Sequence, residues 1–314
     1  MRFLLSTAVL NVCQRLTGTY NANKGLASWM TQGYLTLATG DRQFYDAAVN
    51  VALSVRLNDS ERPISLLCDD AGKLTDDEKA CFDRVIVALP GTLGVGCAGK
   101  LDVPGFLPYE ETVFLDSDCL IIKKDMGRHW ELLSRQCFNV AGGIRTSGSW
   151  YTFEIADVCK ALDLNHMVHM NSGVMYFRKG KELDQFLAVV QDLRENAQDV
   201  LFVQHRDMNA QIADEPVWGA AMGRLNMVPV EYKAEDGSLM VTTYMSRRIK
   251  YDPMTNFSEQ EKSKGYLLLG RFLSKGWVKH STSVAHFIRF KPRGVYRQCV
   301  TQLREWAGLG SSAI

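Results

Sequence analysis

Asp116 and Asp118, one residue apart, close the apolar run 112–115, and His286 stands far downstream of them. Side chains two positions apart leave an extended chain on the same side, so these two carboxylates can share one hard cation. An ion held by two carboxylates keeps open positions for phosphate oxygens, the usual arrangement in magnesium- or manganese-dependent diphosphate chemistry. An imidazole added to the set favours a transition ion such as Mn2+ over Mg2+, which prefers oxygen ligands and water. Zinc suits the set less, because it lacks a cysteine at ligand spacing. The same residues also read as an Asx-type turn after a buried strand and as a core or surface histidine.

The elements that must position these groups follow from the pattern of apolar residues. Residues 34–39 have the β-branched and aromatic content of a strand and stop at Gly40-Asp41. Phe44, Ala47, Ala48, Val51, Ala52 and Val55 then recur at helical spacing. Residues 64–68 form a second apolar strand ending in Asp69-Asp70, Thr75 to Glu78 opens a short helix with a hydroxyl cap and an acidic first turn, and 85–89 is a third strand. This alternation, with strands apolar on both faces, predicts an α/β fold: a mostly parallel, Rossmann-like central sheet with helices on both faces. Ligands in such sheets sit at the carboxyl ends of the strands, which gives weight to Asp41, Asp69, Asp70 and the segment Asp116-Ser117-Asp118. Further on, a strand over 174–177 begins just after Asn171-Ser172-Gly173, and 183–193 is an amphipathic helix. The glycine-rich stretch 141–151, with Trp150 and Tyr151 at its end, reads as a surface loop or as a lid that orders over a ligand.

Composition narrows the class. The chain has 314 residues, 46% hydrophobic and 23% charged, which excludes a disordered or collagen-like protein and suffices for one large or two small domains. The apolar run 3–10 is too short for the roughly 20 residues of a membrane helix and lacks a signal-peptide cleavage site, so no integral membrane segment is expected. Eight scattered cysteines read as buried thiols in a reducing cytoplasm. The formal charge of +1 conceals an asymmetry: residues 1–239 hold 23 Lys plus Arg against 31 Asp plus Glu, a net of −8, whereas 240–314 hold 13 against 4, a net of +9. The expected organisation is an arm over 1–30, a catalytic core over 31–240, and a basic C-terminal segment over 241–314 that completes the active site.

The run Tyr109-Glu110-Glu111-Thr112-Val113-Phe114-Leu115-Asp116-Ser117-Asp118-Cys119-Leu120 resembles the DXD signature of nucleotide-sugar glycosyltransferases with the GT-A fold. Thr36 to Asp41, followed by Tyr45 to Asn50 and Ser54, is similar to the opening strand and helix of the glycogenin and bacterial lipopolysaccharide galactosyltransferase group, family 8. Lys100 upstream of the acidic motif, Asn171-Ser172-Gly173-Val174, Asp214-Glu215, and His286-Phe287 with Lys291-Pro292 resemble further segments of that family in order. In this pattern Arg289 stands where glycine is expected, Glu215 replaces a glutamine, Trp218-Gly219 replaces Leu-Asn, and the run from His286 to Lys291 is one residue short.

The resemblance implies a metal-dependent hexosyltransferase that moves a sugar from a nucleotide sugar, UDP-linked, to an acceptor hydroxyl with retention. It implies Asp116, Asp118 and His286 as metal ligands for Mn2+ or Mg2+, and Lys291 as the charge opposite the leaving diphosphate. Ala38, Thr39 and Asp41 would form the nucleotide cradle; Lys100, Ser117, Asn171, Ser172 and Gly173 would contact the donor; Asp214 or Glu215 would stabilise the oxocarbenium-like centre. The basic segment suits an anionic acceptor: a saccharide, a lipid-linked glycan or modified DNA. A nucleotidyltransferase is disfavoured, since the glycine-rich, lysine-bearing loop after the first strand is missing. A nucleic-acid-binding protein, or a DNA-modifying glycosyltransferase, is the alternative that the basic segment leaves open.

Overall fold

The computed structural model describes residues 31–94, 96–205, 208–231, 238–242, 246–252, 257–268, 271–280, 282–291 and 293–310. The arm expected over 1–30 lies outside them. The described residues fall into two compact units: one takes those up to 87, 115–129 and those beyond 232, the other takes 88–114 and 130–232. In chain order the elements are β1 (Gln32–Ala38), α1 (Arg42–Asn58), β2 (Ile64–Cys68), α2 (Asp76–Lys79), β3 (Arg84–Val87), β4 (Glu111–Leu115), β5 (Cys119–Ile121) and α3 (Met126–Leu133). There follow β6 (Phe138–Arg145), β7 (Ser149–Trp150), β8 (Phe153–Glu154), α4 (Ile155–Ala161), β9 (Met167–Arg178), α5 (Lys181–Asn196) and α6 (Gln198–Leu201). Then come β10 (Phe202–His205), β11 (Met208–Ile212), α7 (Asp214–Arg224), β12 (Val230–Glu231) and β13 (Ser238–Thr242). The last are β14 (Ser246–Asp252), β15 (Phe257–Leu268), β16 (Arg271–His280), β17 (Thr282–His286) and α8 (Arg293–Ala307).

In the first unit β1, β2 and β3 lie side by side and parallel, in register from Tyr34↔Ile64 to Ala38↔Cys68 and from Ser65↔Arg84 to Cys68↔Val87. The unbroken run Ile-Ser-Leu-Leu-Cys is buried at every position of β2, as a central parallel strand requires. Asp41 occupies the N-cap position of α1 with extended backbone, yet its carboxylate makes no capping bond. Thr75 and Glu78 form a reciprocal capping box at α2, and Arg42, paired with Asp46 within α1, ties that helix to the turn through an ion pair to Glu78. A second sheet, β13-β17-β5, sets β17 parallel to β13 and antiparallel to β5, with His286 opposite Cys119. Helix α8 joins α1 through Arg304 Nε, which donates to Asn50 Oδ1 at 2.8 Å, and through Asn50 Nδ2, which donates to the Tyr296 hydroxyl at 3.3 Å.

The chain leaves the sheet after β13 and returns at β17 through an antiparallel meander, β14-β15-β16. Its register sets Arg248 and Lys279 opposite Glu261, and Lys250 opposite Glu259.

In the second unit the strands are ordered β12-β6-β9-β4, with β12 parallel and β9 antiparallel to β6. Counting both units, seven strands make a mixed α/β, mostly parallel architecture, as the element order predicts. Trp218 of α7 is fully buried and stacks on Phe138 and Phe186, with ring centroids 5.0 and 5.9 Å away. Gly219 brings α7 against β9, where an added Cβ would strike the Val168 carbonyl and the Trp150 ring.

Two local expectations change. Asn171-Ser172-Gly173 does not precede its strand but lies inside β9, which runs 12 residues. The ladder jumps from Val140↔Met175 to Gly142↔Met170, so residues 171–174 bulge out opposite Ala141 alone. A turn composition is realised as an irregularity within a strand. Likewise the first half of the 141–151 stretch is the end of β6, because Gly142 lets that strand approach the His169 carbonyl at a distance no Cβ tolerates. The seven described cysteines carry free thiols, six of them buried. No helix among the described residues is long and apolar enough to cross a membrane.

Candidate metal centre and carboxylate pair

The first unit gathers Asp116, Asp118 and His286. The Asp116 carbonyl accepts the Cys119 N–H at 2.9 Å, so the chain turns directly from β4 into β5. Pairing of β5 with β17 then sets His286 beside that turn, and the Asp118 carbonyl accepts the Phe287 N–H at 2.8 Å. His286 Nε2 lies 3.0 Å from Asp118 Oδ1 and 3.6 Å from Asp116 Oδ2, and the three side chains are only 6%, 18% and 15% exposed, in that order. Arg289 and Phe290, in the turn after His286, both have left-handed backbone, φ 55° and 59°. The Arg289 N–H donates to Asp118 Oδ2 at 3.0 Å. The three groups whose ligand atoms all lie within 4.8 Å of one another are Asp118, Cys119 and His286; Asp116 stands beside them, 3.6 Å from His286 Nε2. Two carboxylates and an imidazole so close together need a cation between them or a proton on the ring, and the donor set fits a divalent transition ion. The expectation that the set has no cysteine partner is therefore corrected: Cys119, directly after Asp118 in the sequence, offers its thiol there.

The end of β1 in the same unit is organised by side chains rather than left open. Asp69 Oδ2 accepts the Gly40 N–H at 2.8 Å, Lys73 Nζ donates to the Gly40 carbonyl at 2.7 Å, and the Tyr45 hydroxyl bonds Asp69 while accepting the Asp70 N–H at 3.0 Å. Burial opposes ionisation of Asp69, yet these donors hold its carboxyl below the ordinary carboxylate range. Asp70 Oδ1 caps the following turn by accepting the Gly72 N–H at 2.8 Å. Asp69 and Asp70 therefore serve as turn residues that fix Gly40. Ala38 is buried, Thr39 partly exposed and Asp41 exposed. Ser117 and Lys291 are both partly exposed.

The second unit brings together Lys100, Ser172, Asp214 and Glu215. Lys100 Nζ donates to Ser172 Oγ at 2.9 Å, and Asn171 Oδ1 accepts the Gly173 N–H at 3.0 Å within the bulge. Glu215 accepts at both oxygens: Oε1 from the Ser172 N–H at 3.1 Å and Oε2 from the Tyr151 hydroxyl at 2.7 Å. Asp214 is 2% exposed, and its Oδ2 has no hydrogen-bond partner among the described residues. Burial, and then the adjacent Asp214 charge, push the Glu215 carboxyl above the usual range, against the Tyr151 hydroxyl, the Lys100 ammonium and the Ser172 N–H. Two adjacent carboxylates at the first turn of α7, one held by two donors and the other poorly solvated, form a strongly negative point able to stabilise a developing cation or accept a proton. Tyr151 was part of the 141–151 stretch, but nothing in the sequence tied its hydroxyl to Glu215.

No family model matches the chain, and no curated protein does. Its backbone matches several solved glycosyltransferases at low identity. The galactosyltransferase LgtC, solved with donor and acceptor sugar analogues, is 13% identical over 89% of this chain and 97% of that one, with a TM-score of 0.49. Mouse xyloside xylosyltransferase 1 is 13% identical over 68% of this chain and 87% of its own, with a TM-score of 0.40. The glycosyltransferase GlyE of Streptococcus pneumoniae TIGR4 is 17% identical over 62% of this chain, with a TM-score of 0.39, and the chain spans 44% of its length. These are likenesses of fold, and the chemistry rests on the residues above.

Proposed function

We propose that this chain is a metal-dependent glycosyltransferase that moves a hexose from a nucleotide sugar, UDP-linked, to an acceptor hydroxyl with retention of anomeric configuration. The observation that carries the reading is the position of His286, whose Nε2 lies 3.0 Å from Asp118 and 3.6 Å from Asp116, across about 170 positions of sequence. Asp116, Asp118 and His286 would hold Mn2+ or Mg2+, which when bound neutralises the diphosphate of the donor. Lys291, directly after the His286 turn, adds a positive charge for the leaving group. Ala38, Thr39 and Asp41 cradle the nucleotide at a strand end, and Ser117 lines the metal turn. Lys100, Asn171, Ser172 and Gly173 contact the sugar, while Asp214 and Glu215 stabilise positive charge at its reacting carbon. The free thiols support a reducing, cytoplasmic setting, and the acceptor is an anionic molecule drawn to the basic segment. A DNA-binding or DNA-modifying role for that segment is less favoured, since its register sets Glu259 and Glu261 among the basic positions.

The test is release of free nucleotide from UDP-, GDP- and ADP-sugars with and without Mn2+, comparing the native protein with Asp116→Asn/Asp118→Asn. Metal-dependent turnover of one donor, lost in the double variant, is expected. Absence of both turnover and donor binding in the native protein overturns the reading.

A further inference from the structure

Tyr151 sits at the tip of a two-residue hairpin in the second unit. It follows β7, whose Trp150 pairs with Phe153 of β8, and it holds a left-handed backbone, φ 51°, which costs a non-glycine residue about 1–2 kcal/mol. Trp150, 6% exposed, anchors the hairpin against His169 and Phe153, at ring distances of 4.8 and 6.1 Å. Positive φ is what the first central position of such a two-residue hairpin turn takes. From that turn the Tyr151 hydroxyl donates to Glu215 Oε2 at 2.7 Å.

The second donor to Glu215 completes the picture. The Ser172 N–H reaches Oε1 at 3.1 Å from the bulge of β9, so each carboxylate oxygen has its own donor, one from a backbone and one from a side chain. A carboxylate can only accept, so the Tyr151 proton is committed to it. The ionisable groups acting on this carboxyl are Asp214 from α7, Lys100 from the segment Gly96–Phe106, and Tyr151 itself; Cys97 of that segment acts on Tyr151.

We propose that Tyr151 is a positioning residue, whose hydroxyl fixes the orientation and favours the ionised form of Glu215 in the proposed transfer reaction. The proposal rests on the glycosyltransferase reading for its purpose, but not for its test. Burial and the Glu215 charge both push the Tyr151 phenol upward, so the phenol remains a donor throughout the range in which a carboxylate titrates.

The experiment is a pH titration of the Glu215 carboxyl by difference infrared spectroscopy, each protein against its own Glu215→Gln counterpart, in the native chain and in Tyr151→Phe. Loss of the hydroxyl is expected to raise the proton affinity of Glu215 about tenfold, moving its protonated-carboxyl band to higher pH. The acid limb of nucleotide-sugar turnover moves by the same amount, with KM for the donor unchanged. Tyr151→Phe keeps the ring and the backbone, and its thermal unfolding is compared with that of Tyr151→Ala to confirm an intact fold. Identical infrared midpoints in native and Tyr151→Phe proteins overturn the proposal. If the native protein turns over no nucleotide sugar, the transferase reading fails, while the infrared titration still decides the role of Tyr151.

Discussion

The main-chain N–H of Arg289 donates to Oδ2 of Asp118 at 3.0 Å, from a residue in the left-handed conformation, φ 55°. The other oxygen of the same carboxylate lies 3.0 Å from His286 Nε2. Asp118 is therefore oriented from one side by a backbone donor and faces an imidazole on the other. The donor that fixes this carboxylate belongs to the backbone, so it survives any side chain that tolerates the conformation.

Two substitutions at Arg289 separate conformation from side chain. Arg289→Gly keeps the N–H and relieves a conformation that costs about 1 kcal/mol, partly offset by the greater freedom of glycine in the unfolded chain. The expected result is a slightly raised melting temperature and an unchanged Mn2+ affinity. Arg289→Pro removes the donor and forbids positive φ, and Mn2+ binding weakens at least tenfold. Calorimetric Mn2+ titration of both variants checks this, and equal affinities would show that the Asp118 contact does not orient a ligand.

How much of this was legible beforehand depends on the range of the interaction. β1, α1, β2 and the capping box of α2 follow from local period and caps, and the structure has them where the pattern predicts. Asp116, Asp118 and His286 are also readable as a set, because their residue types already suggest a cation. The bulge at 171–174 was not legible, since Asn-Ser-Gly looks alike in a turn and in a strand whose partner skips past it. The bond of Tyr151 to Glu215 was not legible either, because a contact spanning 64 positions leaves no period or spacing to read.

His129 makes stability depend on pH. Its Nε2 lies 2.7 Å from Ser283 Oγ, and that hydroxyl donates to Asp125 Oδ1 at 2.6 Å. Ser283 has one proton and gives it to Asp125, so the Nε2–H of His129 is the donor of the other bond. Nδ1 is buried without a partner among the described residues. Burial first, then the Arg128 and Lys123 charges, push the imidazole down to about 4. A histidine with a lowered folded value binds its proton more readily when unfolded. Its contribution is complete above the ordinary value near 6.5 and is lost as pH falls from there towards 4, by about 3 kcal/mol. Urea unfolding at pH 7 and pH 4 should show a stability loss smaller by roughly that amount in His129→Gln than in the native protein. An equal loss in both would place the acid sensitivity elsewhere.

Gly219 tests the seating of α7. An added Cβ there meets the Val168 carbonyl and lies 3.1 Å from the Trp150 ring. Gly219→Ala must lift the helix off β9, destabilising the fold by about 1–3 kcal/mol. Glu215 lies one turn earlier on the same helix, so the hydrogen bond from Tyr151 lengthens as well. The control is Gly294→Ala in α8, where an added Cβ meets nothing within 4 Å and alanine stabilises a helix by about 0.5–1 kcal/mol over glycine. Thermal unfolding of the two variants should move in opposite directions.

Arg304 joins helix α8 to α1. It is 5% exposed; its Nε donates to Asn50 at 2.8 Å, its Nη1 to the Gly310 carbonyl at 3.2 Å, and its Nη2 lies 3.7 Å from Asp46. On the same helix Tyr296 packs against Phe287 and Phe290, at ring distances of 5.1 and 5.2 Å, the residues that bracket the Arg289 turn. Arg304→Ala leaves the Asn50 carbonyl oxygen without its donor and Asp46 with Arg42 alone, inside a buried contact. Removing one partner of a buried ion pair costs about 3–5 kcal/mol; Asp46 keeps a second cation, so the lower figure is expected. Because α8 supports the turn that presents His286 and the Arg289 N–H, Mn2+ affinity should fall together with stability, although Arg304 is not itself a ligand in this arrangement. Urea unfolding paired with Mn2+ titration checks both. A variant that loses stability but keeps full metal affinity would show that the turn holds its shape without α8.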